Sequence, residues 1–169
     1  MIKKFIITGG AGFIGSALIR LIIKKTKHTV LNLDKLTYAG NKDSLKEIEK
    51  NKRYSFRKID ICNSKKIKKL FFSYKPDILI HLAAETHVDR SIDGPQDFIK
   101  TNILGTYNLL EVSKNYFLSL SRNKRKNFLF HHVSTDEVYG DLKKKDEYFT
   151  EETCYKPNSP YSASKASSD

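Results

Sequence analysis

The sequence predicts an α/β fold with a doubly wound parallel sheet, and three observations carry that expectation. Short apolar runs alternate with stretches of helical period along the whole chain. The first run empties into a glycine-rich turn, and the second ends on an acid. Alternation of this kind places helices on both faces of a parallel sheet. At 169 residues the chain suits one compact domain or a large part of a bigger one.

In chain order, "KFIIT" reads as a first strand, followed by "GGAGFIG" and a helix expected to bury Ile14, Leu18, Leu21 and Ile22 on one face. "TVLNLD" is a second strand, and a helix is expected over residues 42–50. "YSFRKIDI" reads as a third strand. Ser64 then caps a helix whose Ile67, Leu70, Phe71 and Tyr74 recur at i, i+3, i+4 and i+7. Pro76 ends it, and "DILIHLAA" follows as a nearly continuous apolar strand. A long helix is expected over residues 95–120, with Ile99, Ile103, Leu110 and Phe117 toward the sheet. "KNFLFHHVS" is a fifth strand, "DLKKKDEYFTEE" a surface loop, and a last helix begins near Tyr161.

The formal charge of +12 raises nucleic-acid binding as a function class. The lysines are scattered through "KKTK", "KEIEKNK", "KKIKK" and "NKRKN", with no aromatic stripe alternating among them. A lysine-rich solvated surface accounts for them, so neither nucleic acid nor membrane is an expected partner. No apolar run approaches the ~20 residues of a membrane-spanning helix, and a cytoplasmic location is expected. Cys62 and Cys154 lack paired-ligand spacing. His81, His87, His131 and His132 are dispersed over different strands and loops, which favours packing or hydrogen bonding over a metal site.

Glycine supplies the first functional signal. "TGGAGFIG" holds G-x-G-x-x-G as Gly10, Gly12 and Gly15, and an overlapping G-x-x-G-x-x-G as Gly9, Gly12 and Gly15. Such a turn between strand and helix lets the backbone approach a pyrophosphate at the helix N-terminus. Asp34 stands 19 positions after Gly15, where the fold places a ribose acceptor. An acid there disfavours the extra phosphate of NADP, so NAD is the expected cofactor in a Rossmann-type arrangement. Asp60 and Ile61 at the end of the third strand, and Leu82, Ala83 and Ala84 at the end of the fourth, are expected to line the same crevice.

The second signal is "HHVSTDEVYGD", which ends an apolar run on Ser134 and Thr135 and then sets Asp136 beside Glu137. Strands are depleted in acids, so the pair asks for a chemical reason. Some two dozen residues later "YSASK" puts Tyr161 and Lys165 four apart, on one helix face. An ammonium near a phenol favours the phenolate, a plausible base for a hydroxyl proton during hydride transfer. Thr135 could hold the same substrate oxygen.

Taken together, "GGAGFIG", "DKLTYAGN", "LAAETHVDRSI", "NILGTYNLLE", "HHVSTDEVYGDL" and "SPYSASKASSD" resemble the dTDP-glucose 4,6-dehydratases of the extended short-chain dehydrogenase/reductase family. The resemblance spans essentially the whole chain, and "STDEVYG" is its most specific part. It implies a lyase of deoxysugar biosynthesis, which converts dTDP-glucose to the 4-keto-6-deoxy sugar and water through an internal NAD redox cycle. Tyr161 would take the 4-hydroxyl proton as hydride leaves carbon 4. Glu137 would then remove the carbon-5 proton, and Asp136 would donate to the departing 6-hydroxyl. Elimination of water needs one carboxyl to accept and another to donate, and both must lie over the sugar rather than in bulk solvent. The same resemblance assigns Phe13, Ile14, Lys35, Leu36, Thr37, Thr101, Tyr161 and Lys165 to the cofactor, and Thr86 and Thr135 to the substrate. Thr86 stands where the family more often has serine.

Family members form homodimers and are longer, so residues 1–169 are expected to be the NAD-binding domain alone, without the part that completes the nucleotide-sugar pocket. On this reading the last helix is short and a sheet edge is left uncovered. A nucleotide-sugar 4-epimerase and a non-catalytic remnant are the alternatives.

Overall fold

The computed structural model describes residues 1–142 and 148–169. The centre of the expected "DLKKKDEYFTEE" loop lies outside the described residues. The chain divides into two compact units: Met1–Ala83 with Asn108–Val133, and Ala84–Tyr107 with Ser134–Asp169.

The first unit holds the sheet. β1 (Lys4–Thr8), β2 (Thr29–Asp34), β3 (Tyr54–Lys58), β4 (Ile78–His81) and β5 (Leu129–His132) are all parallel, in the order β3-β2-β1-β4-β5. The chain therefore winds outward from β1 in both directions, and ligands of such sheets bind beyond the strand ends where the order reverses, between β1 and β4. Successive strand residues serve opposite faces. Ile6 and Leu31 pack with Ile67 and Phe71 of α2 (Ser64–Tyr74), and with Leu109, Val112 and Tyr116 of α5 (Thr106–Ser119). Ile7 and Val30 pack on the other face with Ile19, Ile22 and Ile23 of α1 (Phe13–Lys25), and with Leu45 and Ile48.

Several expectations change in detail. The buried face of α1 is Gly15, Ser16, Ile19, Ile22 and Ile23, whereas Ile14 and Leu21 are exposed. The helix is rotated by about one residue because Gly15 must approach the glycine turn. A Cβ on Gly15 would stand 2.3 Å from the Gly9 carbonyl oxygen. Residues 42–50 form a 3-10 helix, Lys42–Ile48, rather than an α-helix. The third strand stops at Lys58, short of Asp60 and Ile61. Asn63, not Ser64, caps α2, its side chain accepting from the Lys66 amide at 3.1 Å. Ile67 and Phe71 are buried as expected, and Lys75 closes the helix in a left-handed conformation before Pro76.

The expected long helix is broken into α4 (Pro95–Phe98), a π-helical segment Ile99–Gly105, and α5. Ile99, Leu110 and Phe117 are exposed, contrary to the expected sheet-facing stripe, and Ile103 is half-buried. A π turn takes up an extra residue, so a 3.6-residue spacing cannot be counted across it. Within α5, Leu109, Val112 and Tyr116 fit the same period as well as Leu110 and Phe117 do, and they are the ones inside. α6 (Arg122–Arg125) leads into β5.

The second unit contains α3 (Val88–Asp93), α4, the π-helical segment, a 3-10 turn Asp136–Tyr139 and α7 (Pro160–Ala166). α7 begins with a capping box between Ser159 and Ser162, with Pro160 in its first turn. Among the described residues no helix is long and apolar enough to cross a membrane.

Candidate functional site: a glycine cradle and an acid–phenol cluster

In the first unit the glycine turn is fixed by contacts that leave no room for side chains. Gly9 has φ +67°, and a Cβ there would lie 2.7 Å from the Ala83 amide nitrogen. One on Gly10 would strike the Asn32 side chain at 2.2 Å. Gly12 differs. A Cβ there would meet only the Gly9 carbonyl oxygen, at 3.2 Å, with open space otherwise. Gly12 is also the N-cap of α1, with no side-chain cap and no acid in the first turn. The helix therefore starts with unshielded amide dipoles, and Phe13 and Ile14 are exposed beside them. That cradle fits a dinucleotide pyrophosphate.

Asp34, buried at the end of β2, accepts from the Ala11 amide at 2.9 Å through Oδ2 and from the Leu36 amide at 2.7 Å through Oδ1. The carboxylate thus pins the glycine turn while keeping lone pairs for a ribose hydroxyl. Asn41 donates its amide to the Ala11 carbonyl at 2.8 Å, so the loop through Lys35, Leu36 and Thr37 is tied to the turn at both ends. Leu36 adopts φ 57°, a left-handed conformation that the Asp34 bond holds.

Beyond the other strand ends, Asp60 Oδ1 accepts from the Cys62 amide at 2.8 Å, and Asn108 donates to the Ile61 carbonyl. Thr8 was not singled out by sequence. It is fully buried, and its hydroxyl accepts from the amides of Leu82 and Ala83 at 3.2 Å each. That leaves its hydrogen for His81 Nδ1 at 2.7 Å. The histidine expected to pack or hydrogen-bond does so by aligning the ends of β1 and β4.

In the second unit the acid pair lies in the Asp136–Tyr139 turn, whose N-cap Thr135 accepts from the Glu137 amide at 3.3 Å. Tyr161 is buried in α7 with the Phe98 ring in a T-shaped arrangement against it, centroids 6.4 Å apart. Burial pushes its phenol above the usual tyrosine value. A hydrogen bond with Thr135 works the other way, and the charges of Glu137 and Asp136 push it up again. Burial pulls the Lys165 ammonium below its usual value, against the opposing pull of Asp169. The expected lowering of the phenol by the lysine is therefore not what sets its proton affinity here. Desolvation is the largest influence, followed by the opposing Thr135 hydrogen bond and then by the two carboxylates. Tyr161, Thr135, Asp136 and Glu137 come within interacting distance of one another. Both carboxylates are nonetheless exposed, where dehydration would want them covered.

Other residues position this cluster without any motif announcing them. Ser91, fully buried, accepts from the Tyr161 amide at 3.1 Å and donates to the Val88 carbonyl at 2.6 Å. Asn102 accepts from the Glu85 amide at 2.8 Å and donates to the Glu85 carbonyl at 2.9 Å and to Ser164 Oγ at 2.8 Å. It thereby joins the segment after Ala84 to the helix carrying Tyr161 and Lys165. Its neighbour Thr101 is buried, and Thr86 is exposed.

Residues 6–169 match the family model described as GDP-mannose 4,6 dehydratase. The chain belongs to that family. The curated dTDP-glucose 4,6-dehydratase of Salmonella typhimurium is 60% identical, matching 98% of this chain and 48% of its own length. The solved dTDP-glucose 4,6-dehydratase of Streptomyces venezuelae, with NAD bound, superposes with a TM-score of 0.86 at 38% identity, over 98% of this chain and 49% of that one. The UDP-Glc/GlcNAc 4-epimerase of Campylobacter jejuni superposes at 0.84 with 29% identity, over 98% and 46%. The chain thus spans about half the length of the curated relatives it matches, and its fold is the Rossmann-type fold they share.

Proposed function

We propose that this chain carries the cofactor-binding and catalytic residues of an NAD-dependent dTDP-glucose 4,6-dehydratase. The observation that carries the reading is the gathering of Thr135, Asp136 and Glu137, in one short turn, around the Tyr161 phenol. The 60% identity to a curated enzyme of that name supports it, as does a glycine cradle with Asp34 in place for the ribose. NAD, when bound, would take up the carbon-4 hydride and return it at carbon 6. Gly12, Phe13 and Ile14 would face its pyrophosphate, and Asp34 its ribose.

The chain's own residues divide the proton work. Tyr161 accepts the 4-hydroxyl proton as its phenolate, a form that burial and the two carboxylates disfavour and that the positive charge of a bound nicotinamide would favour, and Thr135 holds that oxygen. Glu137 takes the carbon-5 proton, made acidic by the adjacent ketone. Asp136 gives its proton to the 6-hydroxyl, which leaves as water. Because solvent reaches both carboxylates, their unequal roles require a cover over the Asp136–Tyr139 turn; bound sugar or further polypeptide would supply it. The reading also carries a cytoplasmic location, where nucleotide sugars and NAD meet, and a homodimer, which sedimentation would test.

Incubating the purified protein with dTDP-glucose and NAD should yield the 4-keto-6-deoxy product. Inversion at carbon 4 without loss of water would instead favour an epimerase, the reading that the superposed Campylobacter jejuni enzyme supports. Cofactor binding with neither reaction would leave a non-catalytic NAD-binding chain.

A further inference from the structure

Asp169 makes a set of contacts that the proposed chemistry does not use. Its Oδ2 accepts from the Ser134 hydroxyl at 2.5 Å and from the Tyr155 phenol at 3.2 Å. Its own amide donates to the Lys165 carbonyl at 3.2 Å, just beyond the end of α7. One residue therefore joins three stretches of the second unit. The first is Ser134, which leads directly into Thr135, Asp136 and Glu137. The second is the segment around Tyr155, which runs beside the same turn through the Lys156 amide and the Val138 carbonyl at 2.9 Å. The third is the helix bearing Tyr161 and Lys165. Hydroxyl donors to a carboxylate are among the stronger hydrogen bonds, and 2.5 Å is at the short end of their range.

We infer that Asp169 is a positioning residue, whose carboxylate clasps the acid-bearing turn to the end of the Tyr161–Lys165 helix and so keeps Thr135, Asp136 and Glu137 at the phenol. The inference rests on the dehydratase reading only for what those acids do. The same carboxylate also favours the charged form of Lys165 against the effect of burial. Clasp and charge can be separated by substitution, because asparagine keeps an acceptor and loses the charge.

The experiment uses the free chain, without cofactor or sugar. Hydrogen exchange of the Glu137 amide reports the turn, and the ¹³C-detected titration of the Lys165 side chain reports the charge. Asp169→Ala should speed Glu137 exchange roughly tenfold, and Ser134→Ala should do so by a smaller factor. Asp169→Asn should restore most of the protection. The Lys165 midpoint should fall in both Asp169 variants and stay in place in Ser134→Ala. Glu137 exchange unchanged in Asp169→Ala and Ser134→Ala would overturn the clasp, and a Lys165 midpoint indifferent to Asp169→Asn would overturn the charge effect. Should Asp169→Ala not fold, Ser134→Ala and Tyr155→Phe each remove one bond and decide through the same exchange measurement. Since neither readout needs substrate, a chain that performs no dehydration would defeat the proposed function and leave this test standing.

Discussion

The two units solve the problem of holding a functional group in opposite ways. In the first, the cradle is made of missing side chains and backbone groups, set by strands whose core residues are almost wholly buried. In the second, the cluster is made of side chains on short elements, among them the four-residue turn Asp136–Tyr139 and the seven-residue α7. Helices that short have little stability of their own. Serine, asparagine and aspartate hydrogen bonds from elsewhere in the unit hold them instead. The packed glycines of the cradle are disrupted by adding atoms, whereas a side-chain cluster is lost by removing them.

That contrast is most sharply tested by Tyr161→Phe and Glu137→Gln. Each deletes a proposed proton carrier, and turnover with dTDP-glucose should fall by a factor on the order of 10²–10⁴ while the melting temperature stays within a few degrees. Full turnover by Glu137→Gln would remove it from proton abstraction. Next in size is the addition of atoms to the packed glycines. Gly15→Ala places a Cβ 2.3 Å from a backbone oxygen, and unfolding in urea should show a loss of about 1–3 kcal/mol. Gly12→Ala is the companion case. Its Cβ would meet one atom at 3.2 Å, so stability should hold while NAD affinity, read by calorimetry, weakens about tenfold. Equal losses of stability in the two variants would break the distinction between packed and open glycines.

The smallest effect expected is on alkaline stability. Tyr161 holds its proton more tightly when folded than the ordinary value of 10.0 would have it. A folded pKa raised in this way contributes stability that is present below pH 10 and is lost as pH climbs through the raised value. Tyr54, Tyr74 and Tyr116 of the first unit are raised by burial as well. Lys165, shifted down, acts with the opposite sense: its contribution is present above its usual value of 10.5 and is lost as pH falls through the lowered one. Tyr161→Phe should therefore flatten the alkaline fall in melting temperature only slightly, since Tyr54, Tyr74, Tyr116 and Tyr155, also raised, keep driving it.

The same contrast explains what could be read from sequence. The alternation of strands and helices, the glycine turn between β1 and α1 and Asp34 at the end of β2 all reflect local chemistry, and their places in the fold are the expected ones. Thr8, Ser91, Asn102 and Asp169 act through partners far away in sequence or through a π-helical turn, so no spacing betrays them. The burial of Leu109 rather than Leu110 illustrates the limit of periodicity: both stripes fit one helix, and the neighbouring sheet decides which is covered. Adjacent acids were legible as unusual, but their exposure was not.

Among the described residues β5 borders the sheet beside β4, and its Leu129 is 51% exposed. A bordering strand presents amide and carbonyl groups along its free side to any extended peptide that meets it. Concentrated samples should thus tend to grow by ribbon-to-ribbon pairing along that margin. A proline at residue 132 would block it without breaking the ladder, because Leu129 and Val133 donate to β4 and the amide of residue 132 points the other way.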